Sequence, residues 1–443
     1  MKILILGLGQ YPKGSGVAVA LYFARMKHDV LVVEPYYTEA MGKNVARLKR
    51  FKNVRFVLGK HATHRVREMD LMVRHQRIRS NEPELKAARR YGIPIESELS
   101  VFLRVCPAPV IGITGTRGKS TTTALLHSIL KASKLWRNAW LGGNILVSPL
   151  TYLEEITERD IVILEMSSFQ LEGLGEADRS PQVGLMTNLM RDHLNTYASM
   201  EEYVEAKAQI FRHQSPEDVV LLPAGRMFDV FASEVPGTVY RWGKKGSVEE
   251  KLVRRSKLKL KGEHNRRNAE AAVSVALLLG VKQRVIKKRL GAFKGLENRQ
   301  EIVGVKNGIT FVNDTTSTTP DATFAAMNVY RFPKAKNHVH LIFGGADKEL
   351  EFDEVAKALA KRKDVIVYLL PGTAEKKIEA AFKKHNVRSM DAKNVKEAIV
   401  AIKTYASRGD VVLLSPGAAS FGLFKNEFDR GEQFKKLVKS YGR

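Results

Sequence analysis

The sequence predicts an α/β protein of three domains. These are a Rossmann-like N-terminal domain over residues 1–108, a central P-loop-type ATP-binding α/β domain over 109–296, and a C-terminal Rossmann-like α/β domain over 297–443. Three observations predict it. A chain of 443 residues is too long for one ordinary core and divides more naturally into two or three. Strand-length apolar runs alternate with helical patterns at both ends of the chain. Between them, the run Pro109 to Ile113 leads through a glycine turn into a helical pattern that lasts to about Ser133.

The first domain opens with the apolar run Ile3 to Leu6, which is strand-length and leads straight into glycines, unlike a signal peptide. Gly7-x-Gly9 then invites a dinucleotide reading. The spacing breaks, however: Pro12 holds the third glycine's place and the next glycines are Gly14 and Gly16. Pro107 and Pro109 mark the exit from the domain.

In the central domain, Gly115-Thr116-Arg117-Gly118-Lys119-Ser120-Thr121 has the composition of a phosphate cradle. Backbone N–H groups and the positive end of a helix face an anion, Lys119 reaches the outer phosphates, and Ser120 or Thr121 offers a hydroxyl to magnesium. Ile113 stands where the full Walker A pattern has its first glycine. The plainer alternative is a turn that only lets strand and helix pack closely, which does not account for a lysine beside two hydroxyl residues. Asp160 to Leu164 reads as a buried strand ending in Glu165, which sets a carboxylate at the sheet's C-terminal edge. Gln182 to Asn188 reads as another strand, followed by Asp192 and His193 and then a helix containing Tyr203 and Lys207. Ala269 to Leu279 has the periodicity of a core helix, opened by His264, Asn265 and Asn268.

The last domain begins with a hairpin whose turn is Asn307-Gly308. Helix and strand patterns then alternate: Ala322 to Val329, His338 to Phe343, Phe352 to Lys361, Val365 to Leu370, Ala374 to His385, Val395 to Ala406 and Val411 to Leu414.

Composition narrows the class. With 44% hydrophobic residues and no apolar run near eighteen residues, the chain reads as globular without a membrane span. The single cysteine, Cys106, allows no internal disulfide and points to a reducing cytoplasm. A net charge of +26 raises the question of nucleic acid. The clusters Lys244-Lys245, Arg254-Arg255, Lys287-Lys288-Arg289 and Lys361-Arg362-Lys363 are dispersed, though, and lack the interleaved aromatics of a single-strand groove. Attraction of anionic nucleotides and solvated helix faces account for them.

Taken together, Gly115 to Thr121, Glu165, Asn188 to His193, Tyr203-x-x-x-Lys207, Gly262-x-His264-Asn265-x-x-Asn268 and Asn298-Arg299 resemble the Mur ligase family in order and spacing. Asn313-Asp314, Gly344-Gly345-x-x-Lys348 and Ser415 to Asn426 are similar to its glutamate-adding branch. The resemblance implies a cytoplasmic, monomeric, ATP-dependent ligase of peptidoglycan precursor synthesis. In such a ligase the carboxylate of UDP-N-acetylmuramoyl-L-alanine attacks the γ-phosphate of ATP, and the amine of D-glutamate attacks the resulting acyl phosphate. It further implies two Mg2+ ions, one held by Ser120 or Thr121 with Glu165 and one by His193 and Lys207. An ammonium cannot ligand a cation, so Lys207 would carry a carbamate from carbon dioxide. Lys119 and Gly115 to Thr121 would hold the ATP phosphates, Asn265 and Asn268 the adenine side, Arg299 the phosphates on domain closure and Asp314 the ribose. Gly7, Gly9, Glu34 and Asn144 would contact the nucleotide-sugar, and Thr318, Lys348 and Ser420 the incoming amino acid.

The chain departs from the family pattern at several points. Val73-Arg74-His75-Gln76-Arg77 replaces the usual Ser-Pro-Gly, Thr316 replaces a lysine, Asn298 a histidine and Gly422 an aspartate, and Glu427-Phe428 appear in swapped order. Losing a lysine beside a dicarboxylic amino acid removes a contact of roughly 1.5 to 3 kcal/mol, which leaves L-glutamate or another amino acid open. A folylpolyglutamate-synthase-like ligase would share the phosphate loop and lysine but not the Ser415 to Asn426 segment. A nucleic-acid-dependent P-loop ATPase would call for a strand ending in paired acids, whereas Glu165 is followed by Met166-Ser167.

Overall fold

Short apolar runs, buried on both faces at the middle of each sheet, form the strands of three largely parallel sheets in a computed structural model, which describes residues 1–144, 147–190, 196–332 and 336–441. Such strands read as continuous Val/Ile/Leu runs because helices cover both sides.

The first sheet contains β1 (Lys2–Leu6), β2 (Asp29–Glu34), β3 (Val54–Leu58), β4 (Leu71–Arg74) and β5 (Ile95–Ser97), in the order β3-β2-β1-β4-β5. The second contains β6 (Val110–Thr114), β7 (Ala139–Gly143), β8 (Ile161–Glu165), β9 (Val183–Met186), β10 (Val219–Pro223) and β11 (Thr238–Trp242), in the order β11-β10-β9-β6-β8-β7. The third contains β12 (Glu301–Lys306), β13 (Ile309–Asn313), β14 (Val339–Gly344), β15 (Val365–Leu370), β16 (Ser389–Asp391) and β17 (Val411–Leu414), in the order β12-β13-β17-β14-β15-β16. Among the described strands, only the edge pair β12/β13 is antiparallel. Its turn has φ 52° at Asn307 and 78° at Gly308, the positive pair that an Asn-Gly hairpin supplies.

Strand order positions the functional loops. β1 and β6 each lie where their sheet's order reverses, so the loops leaving their C-terminal ends open a crevice. The glycine turn follows β1 and the phosphate loop follows β6. In the third sheet, the loops after β13, β14 and β17 leave one edge side by side.

The chain forms two compact units, 1–259 with 263–293, and 260–262 with 294–443. The first two sheets therefore share a unit. One apolar cluster explains this, running from Ile3, Val32 and Phe102 to Val162, Leu171 and Phe211. Arg74 on β4 lies 3.2 Å from Glu176 and 3.7 Å from Glu172, and Arg89 lies 2.6 Å from Glu176. Sequence periodicity marks each sheet but not these long-range ties. In the last domain, two elements lie beyond the sequence expectation: β16, of three residues, and the helix Glu427–Ser440. That helix buries Phe434 and Val438, with Gly431 and several charges interrupting its pattern.

Candidate active site

The phosphate loop is held by close contacts that only glycine permits. Gly118 has φ 83°, and a Cβ there would sit 2.1 Å from Asn268 Oδ1. A Cβ on Gly115, at φ 140°, would sit 2.0 Å from Thr187 Oγ1. The loop is clamped from the end of β9. Thr116 N donates to Asn188 O (2.9 Å) and Arg117 N to Asn188 Oδ1 (2.9 Å), while Asn188 Nδ2 and Thr187 Oγ1 donate to Arg117 O (3.0 and 2.7 Å). Thr187 holds the loop at a position that the sequence reading missed, since a threonine ending a strand carries no local signal.

Lys119 begins the helix Lys119–Ser133, and its Nζ donates to the carbonyls of Gly115 (2.9 Å) and Thr116 (3.0 Å). Ser120 and Thr121 follow in the first turn, half-buried. The helix Glu263–Leu278 packs against this one and brings Asn265 and Asn268 beside Gly118. Thr122 Oγ1 donates to Asn268 O at 3.3 Å and Asn268 Nδ2 to Asn265 Oδ1 at 3.3 Å.

Glu165 ends β8, buried next to β6. Asn144 wraps over it, donating through its backbone N to Glu165 O (2.8 Å) and through Nδ2 to Oε1 (3.2 Å). Glu165 Oε2 is buried without a hydrogen-bond partner. An orphaned carboxylate oxygen in a site that also offers hydroxyls suits a hard cation such as Mg2+.

Lys207, in the helix Met200–Ala208, is 1% exposed, and its Nζ donates to Gly115 O at 3.0 Å and lies 4.7 Å from the Tyr203 ring centre. Tyr203 OH donates to Thr116 Oγ1 at 3.2 Å. The Tyr-x-x-x-Lys spacing therefore puts both side chains, one helical turn apart, on the phosphate loop. His193 lies outside the described residues.

A cleft of about 90 Å³ links the glycine turn to this site, lined among others by Gly9, Ser15, His75, Arg77, Glu98 and Asn144. Gly9 and Asn144 thus line one cleft. Gly7 and Glu34 do not: Glu34 Oε2 accepts from Leu8 N (2.7 Å) and Oε1 from Tyr36 N (3.2 Å), so this carboxylate braces the turn. In place of Ser-Pro-Gly, the chain presents His75, whose burial beside Arg77 pushes its pKa down to about 4. Glu98 accepts from Ser148 Oγ at 2.5 Å, and burial pushes its carboxyl up to about 7 despite that bond.

In the second unit, Arg299 is exposed and Asp314 is buried. Asp314 accepts from Ser317 Oγ (2.6 Å), Ser415 Oγ (2.9 Å) and Gln300 N (3.0 Å), and burial raises its pKa to about 6. Lys348 is exposed with Nζ 5.6 Å from the Phe421 ring centre, Ser420 is buried, and Thr318 is half-buried in the loop after β13. Thr316 donates its hydroxyl to Asn298 O at 2.9 Å.

Known proteins match this arrangement along the chain. The family model for the Mur ligase middle domain matches residues 113–276, and that for the Mur ligase glutamate ligase domain matches 298–417. The UDP-N-acetylmuramoylalanine–D-glutamate ligase of Roseiflexus sp. (strain RS-1) is 36% identical, covering 99% of this chain and 98% of its own. This chain belongs to the Mur ligase family. The ligase of the same name from Acetivibrio thermocellus is 33% identical over 99% of this chain and 96% of its own. As a Mur ligase, the protein is an ATP-dependent enzyme of the amide-forming class. Among solved structures, a Mur ligase named UDP-N-acetylmuramate-alanine ligase, from Thermotoga maritima, shares the fold at TM-score 0.60 and 22% identity, covering 99% of both chains. A MurF ligase from the same organism, solved in complex with ADP, does so at TM-score 0.58 and 18% identity, covering 98% of both. Among the described residues, no helix is long and apolar enough to cross a membrane.

Proposed function

We propose that this chain joins D-glutamate to UDP-N-acetylmuramoyl-L-alanine at the expense of ATP, in peptidoglycan precursor synthesis in the cytoplasm. The observation that carries the reading is the grouping, in one unit, of a clamped phosphate loop, Lys207 on that loop's own carbonyl and Glu165 with a free buried oxygen. The full-length relatives of the same ligase name supply the substrates.

A carboxylate is a poor electrophile until one of its oxygens becomes a leaving group. In the proposed sequence, the substrate carboxylate oxygen bonds to the γ-phosphorus, the bond to ADP breaks, and an acyl phosphate results. The amine of glutamate then attacks the carbonyl, the C–O bond to phosphate breaks, and the amine loses a proton. Phosphoryl transfer depends chiefly on positioning and charge neutralisation. Lys119 turns from the loop carbonyls to the outer phosphates, and the loop's N–H groups and helix start orient them. Ser120 or Thr121 with Glu165 would hold one Mg2+, which neutralises phosphate charge when bound. His193 and Lys207 would hold a second, with Lys207 as its carbamate. Asn265 and Asn268 serve the adenine side, and Arg299 and Asp314 are assigned to the phosphates and ribose.

The domain spanning 1–108 takes the nucleotide-sugar, with Gly9 and Asn144 facing it across the shared cleft. The domain spanning 109–296 takes ATP. The domain spanning 297–443 takes the amino acid through Thr318, Lys348 and Ser420. Thr316, neutral and engaged with Asn298, favours a second arm of the test. Phosphate release is measured with ATP, Mg2+ and UDP-N-acetylmuramoyl-L-alanine, adding D- or L-glutamate. Release with D-glutamate alone is expected. Release with L-glutamate alone would mean an altered pocket, and release with neither would overturn the assignment of substrates.

A further inference from the structure

Arg430 has the largest fully buried side chain among the described residues. A guanidinium is almost never taken wholly out of water without a carboxylate beside it, yet its hydrogen bonds go to neutral oxygens. Nε donates to Thr315 Oγ1 (3.0 Å) and Nη2 to Thr315 O (2.9 Å), while Nη1 reaches Ala418 O (3.3 Å) and Ala419 O (3.4 Å). Burial lowers its pKa to about 10 against the opposing charge of Glu427, which is not among its hydrogen-bond partners, so it remains charged near neutrality.

The partners belong to separate loops. Thr315 lies in the loop after β13, between Asp314 and the segment reaching Thr318. Ala418 and Ala419 lie in the loop after β17, and Ser420 follows directly. Ala419 in turn pairs with Ala346 in the loop after β14, through two backbone bonds of 2.9 and 3.0 Å, two residues before Lys348. One planar fork therefore ties Thr315 to Ala419, and the backbone bridge extends the tie to Ala346. Thr315 Oγ1 also donates to Glu427 O at 2.8 Å, which secures the start of the helix that carries Arg430. A lysine has no fork to span two loops.

We infer that Arg430 is a positioning residue for the incoming amino acid, holding the loops of Thr318, Ser420 and Lys348 in a single constellation. It rests on the reading of those three residues as the glutamate site. A lysine and two hydroxyl donors spaced to meet two carboxylates must keep their separation, and a loop shifted by about 1 Å lowers affinity without touching the nucleotide sites.

The test is steady-state kinetics on the full chain, with Arg430→Lys, Thr315→Val and Thr315→Ser beside the parent. Arg430→Lys and Thr315→Val should each raise KM for glutamate about tenfold or more, with KM for ATP and for the nucleotide-sugar within about twofold. Thr315→Ser, which keeps the hydroxyl, should retain the parent KM, and combining Arg430→Lys with Thr315→Val should add little to either alone. If Arg430→Lys does not fold, Thr315→Val carries the test. A lowered melting temperature with an unchanged KM for glutamate in Thr315→Val would overturn the inference, since a purely structural role predicts that. A parent enzyme that turns over neither enantiomer of glutamate would overturn the reading of the site and the inference together.

Discussion

At the scale of single residues, burial sets the protonation of groups that sequence alone marks as ordinary. Glu98 lines the cleft with its carboxyl pushed from the usual 4.5 to about 7. A raised folded-state pKa means that the native protein binds this proton more tightly than the unfolded chain. The associated stability is complete below about 4.5 and is lost as pH rises to about 7. Glu98→Gln keeps an acceptor for Ser148 and removes the titration. Its unfolding free energy from urea denaturation should match the parent at pH 4 and exceed it at pH 8 by up to on the order of 3 kcal/mol; equal stabilities at both pH values would show that Glu98 stays ionised at little cost. Lys207 gives the matching catalytic prediction. Lys207→Ala should abolish most turnover, with a loss on the order of a thousandfold, and added bicarbonate should not restore it. Substantial retained turnover would remove the carbamate role.

At the scale of elements, the phosphate loop depends on the end of β9 as much as on its own glycines. Asn188→Ala removes an acceptor for Arg117 N and a donor to Arg117 O, two bonds that hold the loop's middle. ATP should bind about 10- to 100-fold more weakly by calorimetry, equivalent to roughly 1.4 to 2.8 kcal/mol. Affinity within twofold of the parent would mean that the glycines alone shape the loop. Local patterns made the elements themselves legible: Gly118-Lys119 opens its helix, Glu165 ends its strand, and Asn307-Gly308 makes its hairpin as read. Contacts distant in sequence were not legible. Nothing near Glu34 says that its carboxylate turns inward to Leu8 N, and nothing near Thr187 says that it meets Gly115. Ser148 carries no hint that it meets Glu98, fifty residues earlier. The helix Glu427–Ser440 was obscured because Arg430, a residue normally read as surface, is one of its buried positions.

At the scale of the whole molecule, a net charge of +26 acts on every anionic partner at long range. The proposed substrates ATP and the nucleotide-sugar are polyanions, so their capture should weaken as salt rises. Between about 0.1 M and about 1 M salt, screening contracts from about 10 Å to about 3 Å. KM for both nucleotides should therefore climb several-fold, with kcat changing less, because contacts inside the buried site are screened little. Nucleic acid is a polyanion too, and at low salt it should compete weakly as an inhibitor that salt removes. An ATPase driven by nucleic acid behaves in the opposite way, since its phosphate release requires the polymer. Phosphate release with and without single- and double-stranded DNA, at both salt concentrations, separates the cases. Inhibition at low salt that disappears at high salt fits a ligase whose charge gathers small anions. Stimulation would instead make the basic surface part of the catalytic cycle, and Glu165 would then have to serve a hydrolytic strand end without its paired acid.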